Sequence, residues 1–296
     1  MKKIGLAIAL DDSATYHTQT FIEAITYSLD NFPDLDSYVF KTVSDEKTRQ
    51  GGANAAKELI EWGADIVIGH FSSVAAISAI PYYATAHVPV ILPASTSCLL
   101  DLLPANEKQL TYKYQQSNKA LVQHCVFDCI AKRGSGNITV IAQNNEYGNT
   151  LSSLVPLIAN INIINTAPTQ AKASDTYIIF GYDDFAQNII RELSRKSVYR
   201  IVLIDDSDCD DVYNAVIVKP HLLSRVKAVF DIPKHGRLLP YWNETLLALA
   251  LGNSMLTTPG EKTAHPGKFD TYLTPQHFDS NNRYSGNTLV AEDIHY

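Results

Sequence analysis

Short, largely apolar runs rich in β-branched residues recur along this chain, and each is followed by a stretch of helical periodicity. A strand that is apolar on both faces needs cover on both faces, which a parallel sheet with crossover helices supplies. The pattern predicts strands near Lys3–Leu10, Tyr38–Val43, Ala64–Ile68 and Val88–Leu92, with helices near Ala14–Leu29, Arg49–Trp62 and Ser73–Thr85. After Tyr112–Gln115 a second series repeats the first. It reads as a helix over Ser117–Lys132, a strand at Ile138–Ala142, a helix from Tyr147, a strand at Tyr177–Phe180, a helix at Phe185–Lys196 and strands at Arg200–Ile204 and Ala215–Val218. Each series suits one doubly wound α/β lobe, and 296 residues suffice for two cores of ordinary size.

In such lobes ligands gather at the carboxyl ends of the strands. Gly69 lets the chain leave its strand tightly, and Ser72 and Ser73 fall where the next helix needs its N-cap. Unpaired amides and the positive helix end meet there, which suits an anion. Pro93-Ala94-Ser95-Thr96 brings small hydroxyl residues to the end of the following strand. In the second series Asp205 and Asp206 end the strand at Ile204 and so point to the corresponding edge, as does Tyr182 after Phe180. His70 reads as a packed or rim residue, because the sequence places no nucleophile and carboxylate with it to make a triad.

Taken in order, Gly69, His70, Phe71 and Ser73, then Val88, Pro89, Pro93, Ala94, Ser95 and Thr96, then Glu146-Tyr147-Gly148 and Phe278-Asp279-Ser280-Asn281 resemble the type I periplasmic-binding-protein fold. The resemblance is to its branch of leucine/isoleucine/valine-binding proteins and their amide-sensing relatives. It implies two Rossmann-like lobes joined by a three-strand hinge and closing over a solute. Ser73, the Ala94 carbonyl, Ser95 and Thr96 would then hold a carboxylate and amino group, with Phe71 beside them. Tyr147, Tyr182 and Asp206 would close the other side, with Asp205 the alternative to Asp206 and Tyr16 a further candidate after the first strand. The chain departs from the amino-acid binders in carrying Asp where their best-known members carry Glu, in a far more acidic loop. It also lacks their Gly-rich pattern after the first strand.

Leu238–Ser254 reads as a helix with a wide apolar face, followed by a Thr/Pro/Gly/His-rich stretch and a last strand at Thr288–His295. The resemblance implies three crossings between lobes, near Gln116, Pro233 and His265. The expected division is residues 1–116 with 233–265, and 117–232 with 266–296.

A formal net charge of -7 without a Lys/Arg cluster argues against nucleic acid as a partner. No apolar run approaches the ~20 residues needed to span a bilayer, so membrane insertion is not expected. The start, MKKIGLAIAL, resembles an export signal, but Asp11 and Asp12 follow at once, and Ile4–Leu10 reads as a strand. Either the chain is made without a leader and is cytoplasmic, or it begins after cleavage and is periplasmic. Cys98, Cys125, Cys129 and Cys209 form no CxxC; Cys125 and Cys129 read as core residues sharing a helix face. Gly134-Ser135-Gly136 precedes a strand and reads as a turn, not a dinucleotide loop. Asp206–Asp211 fails as a calcium loop, since Asp211 stands where Gly must turn and Ile217 where the bidentate Glu belongs.

The sequence thus predicts a non-enzymatic receptor without cofactor that clamps an amino acid or related amide or carboxylate, partnered by an ABC-importer permease. A cytoplasmic sensor acting on a regulatory protein is an alternative. A third is a metal-assisted enzyme built on Asp205–Asp211 and His70.

Overall fold

The computed structural model describes residues 1–10, 16–132, 136–157, 161–196, 198–208, 212, 222–230, 241–257, 282 and 287–294. The chain divides into two compact units. One comprises Met1–Gln115, Phe230–Gly236 and Tyr241–Asn287; the other comprises Gln116–Val229, Arg237–Pro240 and Thr288–Tyr296. The expected crossings at Pro233 and His265, the strand at Ala215–Val218 and the Phe278–Asn281 segment lie outside the described residues.

The first unit is built on β1 (Lys2–Ala7), β2 (Tyr38–Val43), β3 (Ile66–Gly69), β4 (Val90–Leu92) and β5 (Thr111–Lys113). Its five-stranded sheet has the order β2-β1-β3-β4-β5, and every pair is parallel. Helices α1 (Tyr16–Asn31), α2 (Arg49–Trp62), α3 (Ser73–Thr85) and the short α4 (Ala105–Lys108) connect the strands. β3 and β4 are buried along their whole length, which is why they carry Ile, Val and Leu at successive positions without alternation.

Thr48 caps α2 by accepting the Gly51 amide at 2.8 Å, and Gly63 ends it in the left-handed conformation at φ 82°. α2 and α3 meet backbone to backbone. A Cβ at Gly52 would lie 2.3 Å from the Ala75 carbonyl oxygen. A late helix, α8 (Trp242–Leu256), packs against α1, β3 and β4. The described residue Asn282 also belongs to this unit, its carbonyl accepting the Lys113 amide at 3.0 Å.

The second unit carries α5 (Asn118–Lys132), β6 (Ile138–Ala142), α6 (Glu146–Ser153), β7 (Asn162–Ile164), β8 (Thr176–Phe180), α7 (Asp183–Leu193), β9 (Arg200–Ile204), β10 (Leu222–Phe230) and β11 (Asn287–Ile294). Its six-stranded sheet has the order β11-β10-β9-β8-β6-β7. The α5 face turned to this sheet includes Leu121, Val122, Cys125, Val126 and Cys129, all in one core cluster with β6, β8 and β9 residues. Arg200 starts β9 fully buried, its guanidinium donating to Ser224 Oγ and Asp128 Oδ2, each at 2.8 Å. Among the described residues no helix is long and apolar enough to cross a membrane.

Candidate functional site

Strand order locates the candidate edge in each unit. In the first sheet the order reverses between β1 and β3, and in the second between β6 and β8. A crevice opens at such a reversal, because the following helices go to opposite faces of the sheet. The connection after β3 therefore carries the first candidate edge, and those after β6 and β8 the second.

In the first unit the chain turns at Gly69 with φ 114°, where a Cβ would lie 2.0 Å from the Ala7 carbonyl oxygen. Only glycine fits. Ser72, not Ser73, is the N-cap of α3, its hydroxyl accepting the Ala75 amide at 3.4 Å. Ser73 is the first helical residue, and its hydroxyl oxygen accepts the Ser97 amide at 3.2 Å, tying the ends of β3 and β4 together.

Ser95 is fully buried and donates to the His70 carbonyl at 2.9 Å. Its hydroxyl hydrogen holds the loop and is not presented to a solute. Thr96 is 6% exposed. Ala94 is buried beside it in sequence. Phe71 packs edge-on against Phe21 at 5.1 Å and Tyr241 at 5.8 Å, while His17 meets Tyr241 at 5.3 Å. Tyr16 opens α1, and its side chain lies outside the described residues.

His70 lies beneath this edge, wholly buried. Its Nδ1 is 2.8 Å from Asp45 Oδ2 and its Nε2 is 3.1 Å from the Tyr83 hydroxyl. Burial, and then the Asp45 carboxylate, push the Tyr83 hydroxyl far above its ordinary range. The bonds join β3 to α3 and to the segment before α2, away from solvent. Among the described residues no group of His, Cys, Asp and Glu is arranged to hold a metal ion.

In the second unit Asn145 caps α6 by accepting the Gly148 amide at 2.8 Å. A Cβ at Gly148 would lie 2.1 Å from the Gln143 carbonyl oxygen, which explains the glycine after Tyr147. Gln143 accepts the Tyr182 amide through its side chain at 3.0 Å, so the β6 and β8 connections are joined. Tyr147 and Tyr182 stack with centroids 4.8 Å apart and planes 12° from parallel. The Tyr147 hydroxyl donates to Asp205 Oδ2 at 2.6 Å.

Asp205 takes φ 53° at the end of β9, a left-handed conformation that Asp tolerates better than most residues. Asp206 next to it is 8% exposed. Burial, then the carboxylates of Asp205 and Asp206, hold the Tyr147 hydroxyl well above its usual value. Burial, then Asp206, Asp205 and Glu146, push Tyr182 up to about 12. The structure thus brings Tyr147, Tyr182, Asp205 and Asp206 together in one unit, and Phe71, Ser73, Ala94, Ser95 and Thr96 in the other.

His17, Tyr241 and Gln143 also stand at these edges, and sequence reasoning did not single them out. Tyr241 left one trace there, an aromatic residue after Pro240 where a helix would ordinarily begin with a capping side chain.

Two parallel, doubly wound units with these strand orders are the type I periplasmic-binding-protein fold. The branched-chain amino-acid binding protein LivJ of Streptococcus pneumoniae, solved with isoleucine, superposes with a TM-score of 0.69 at 12% identity, covering 99% of both chains. An ABC-transporter substrate-binding protein of Desulfitobacterium hafniense, solved with leucine, gives 0.65 at 15% identity over 99% of this chain and 97% of that one. A Rhodopseudomonas palustris ABC-transporter solute-binding protein in complex with benzoate gives 0.63 at 15% identity over 85% and 79%. No protein-family model matches the sequence, and no curated protein does.

Proposed function

We propose that the chain is a solute-binding protein that holds a small polar organic molecule of amino-acid size and acts as the receptor of an ABC importer, without catalysing a reaction. The observation that carries this is the Tyr147–Tyr182 stack with Asp205 at the strand-order reversal of its sheet. An aromatic wall with a hydrogen-bonded carboxylate at such an edge is what a small-molecule site requires. The first unit supplies the complementary kind of group, the Ser73 and Thr96 hydroxyls beside the N-terminus of α3, which suit a solute oxygen. The solute-binding proteins of the same fold support the role.

Ligand binding raises the melting temperature by mass action, so the test is thermal-shift screening followed by calorimetry. Thr96→Val removes a hydroxyl just past the end of β4 and keeps the branched side-chain shape. It should weaken solute binding by about 1–3 kcal/mol while leaving the melting temperature of the free protein nearly unchanged. Unchanged affinity in that variant would count against the assignment of the first edge. Closure about the expected crossings belongs to the same proposal, and small-angle scattering should show contraction on adding a bound solute.

A further inference from the structure

Resting on the solute-binding function just proposed, we infer that Asn118 belongs to the site, its side-chain carbonyl oxygen accepting a hydrogen bond from an N–H or O–H donor of the solute. Asn118 opens α5 and is 6% exposed. Its Oδ1 is buried and has no hydrogen-bond partner among the described residues. Buried polar atoms are nearly always paired, because burial strips their water and only a partner offsets that loss. An orphan of this kind marks a place for a group from outside the chain.

Neither the core nor the helix end accounts for this amide. Asn118 precedes Leu121 and Val122 by three and four residues, so it continues the stripe of α5 that Leu121, Val122, Cys125, Val126 and Cys129 bury against the sheet. An apolar residue would serve that stripe better. The helix is capped by Ser117, whose hydroxyl accepts the Ala120 amide at 3.3 Å, so Asn118 is not needed as a cap.

Topology places the amide at the candidate edge of the second unit. α5 ends at Lys132 and β6 starts at Ile138, a link so short that the helix runs back antiparallel to the strand. The helix has 15 residues and the strand 5, lengths of about 22 Å and about 17 Å. The first turn of α5 thus reaches the carboxyl ends of the strands, and the Cβ of a helical residue leans toward the helix N-terminus, here toward that edge. The β6 members of the core cluster under α5 are Ile138, Val140 and Ala142, alternate residues on one face of the sheet, and Tyr147 packs against the same cluster. Asn118 therefore shares with Tyr147 both an edge and a face.

A neutral acceptor selects by hydrogen bonding and not by net charge. A solute that brings a hydroxyl, amide or amine hydrogen to Asn118 satisfies it. One that brings a C–H or a carbonyl leaves it buried and unpaired, which is the kind of mismatch a binding site rejects most strongly.

The experiment uses the full chain and matched compounds that differ in one donor: 4-hydroxybenzoate with benzoate, isoleucine with 3-methyl-2-oxopentanoate, and lactate with pyruvate. Thermal shift finds the binders and calorimetry measures them. At least one donor-bearing member should bind, about tenfold more tightly than its donor-free partner. Asn118→Leu should remove most of that ratio while leaving the melting temperature of the free protein level or higher, since an apolar group replaces an unpaired polar one. Asn118→Ala, too small to overfill the site, should lose the ratio as well. An asparagine with a purely structural role would lower the melting temperature when replaced and leave the ratio intact. A ratio that survives both substitutions, or binding confined to the donor-free compounds, overturns the role of Asn118, with an ordered water as its partner, and leaves the solute-binding function standing. A panel without any binder overturns both.

Discussion

Tyr147 donates its hydroxyl to Asp205 at 2.6 Å while its ring lies against that of Tyr182. One side chain therefore joins the acidic end of β9 to the connection after β8. The Tyr147→Phe protein keeps the stack and loses the charge-assisted bond. It should be destabilised by about 1.5–3 kcal/mol, measured as a fall in the urea midpoint at unchanged slope.

Tyr182 should ionise late in a spectroscopic titration. Its phenolate should form near pH 12, well past the ordinary tyrosine value of 10.0. Burial is the main cause and the Asp206 carboxylate the next, so Asp206→Asn should bring the transition part of the way back. No movement would mean that the acids do not act on this ring.

Asp128 bonds Arg200 at 2.8 Å and Lys132 at 3.0 Å. Burial alone would raise its carboxyl, but the bonds from Arg200 and Lys132 outweigh that and hold it below the ordinary 3.8. A depressed folded value means stabilisation that is complete above the ordinary carboxylate range and is lost as pH falls below it. Asp128→Ala leaves the buried Arg200 without this partner and should cost about 3–5 kcal/mol near neutrality. The gap to the parent protein should shrink below about pH 4.

Ser95 and Thr96 are neighbours with opposite expected phenotypes. Ser95→Ala strips the donor from the buried His70 carbonyl and should lower stability by about 1–3 kcal/mol. Thr96→Val should act on affinity instead. Paired thermal melts and solute titrations separate the two.

Most strands were legible because burial on both faces leaves a local mark, the β-branched runs at Ile66–Gly69, Ile138–Ala142 and Arg200–Ile204. β5 and β7, of three residues each, were not expected, and neither was the nine-residue β10, whose polar Ser224, Arg225 and Lys227 interrupt the apolar run. Placement at a sheet edge was legible where a residue follows a strand directly, as Tyr182, Asp205 and Asp206 do. What each hydroxyl bonds was not, because it depends on partners far along the chain. Ser73 meets Ser97, Ser95 meets His70, and His70 itself is held by Asp45 and Tyr83. Tyr241 reaches the Phe71 edge only because α8 returns to the first unit, a matter of topology with no local signature.

The close approach of Gly52 to the Ala75 carbonyl leaves no room for a side chain between α2 and α3. A bulkier residue there would push α3 off α2 and with it the start of the helix at Ser73. Under the proposed function, solute preference would then change through a position remote from the solute.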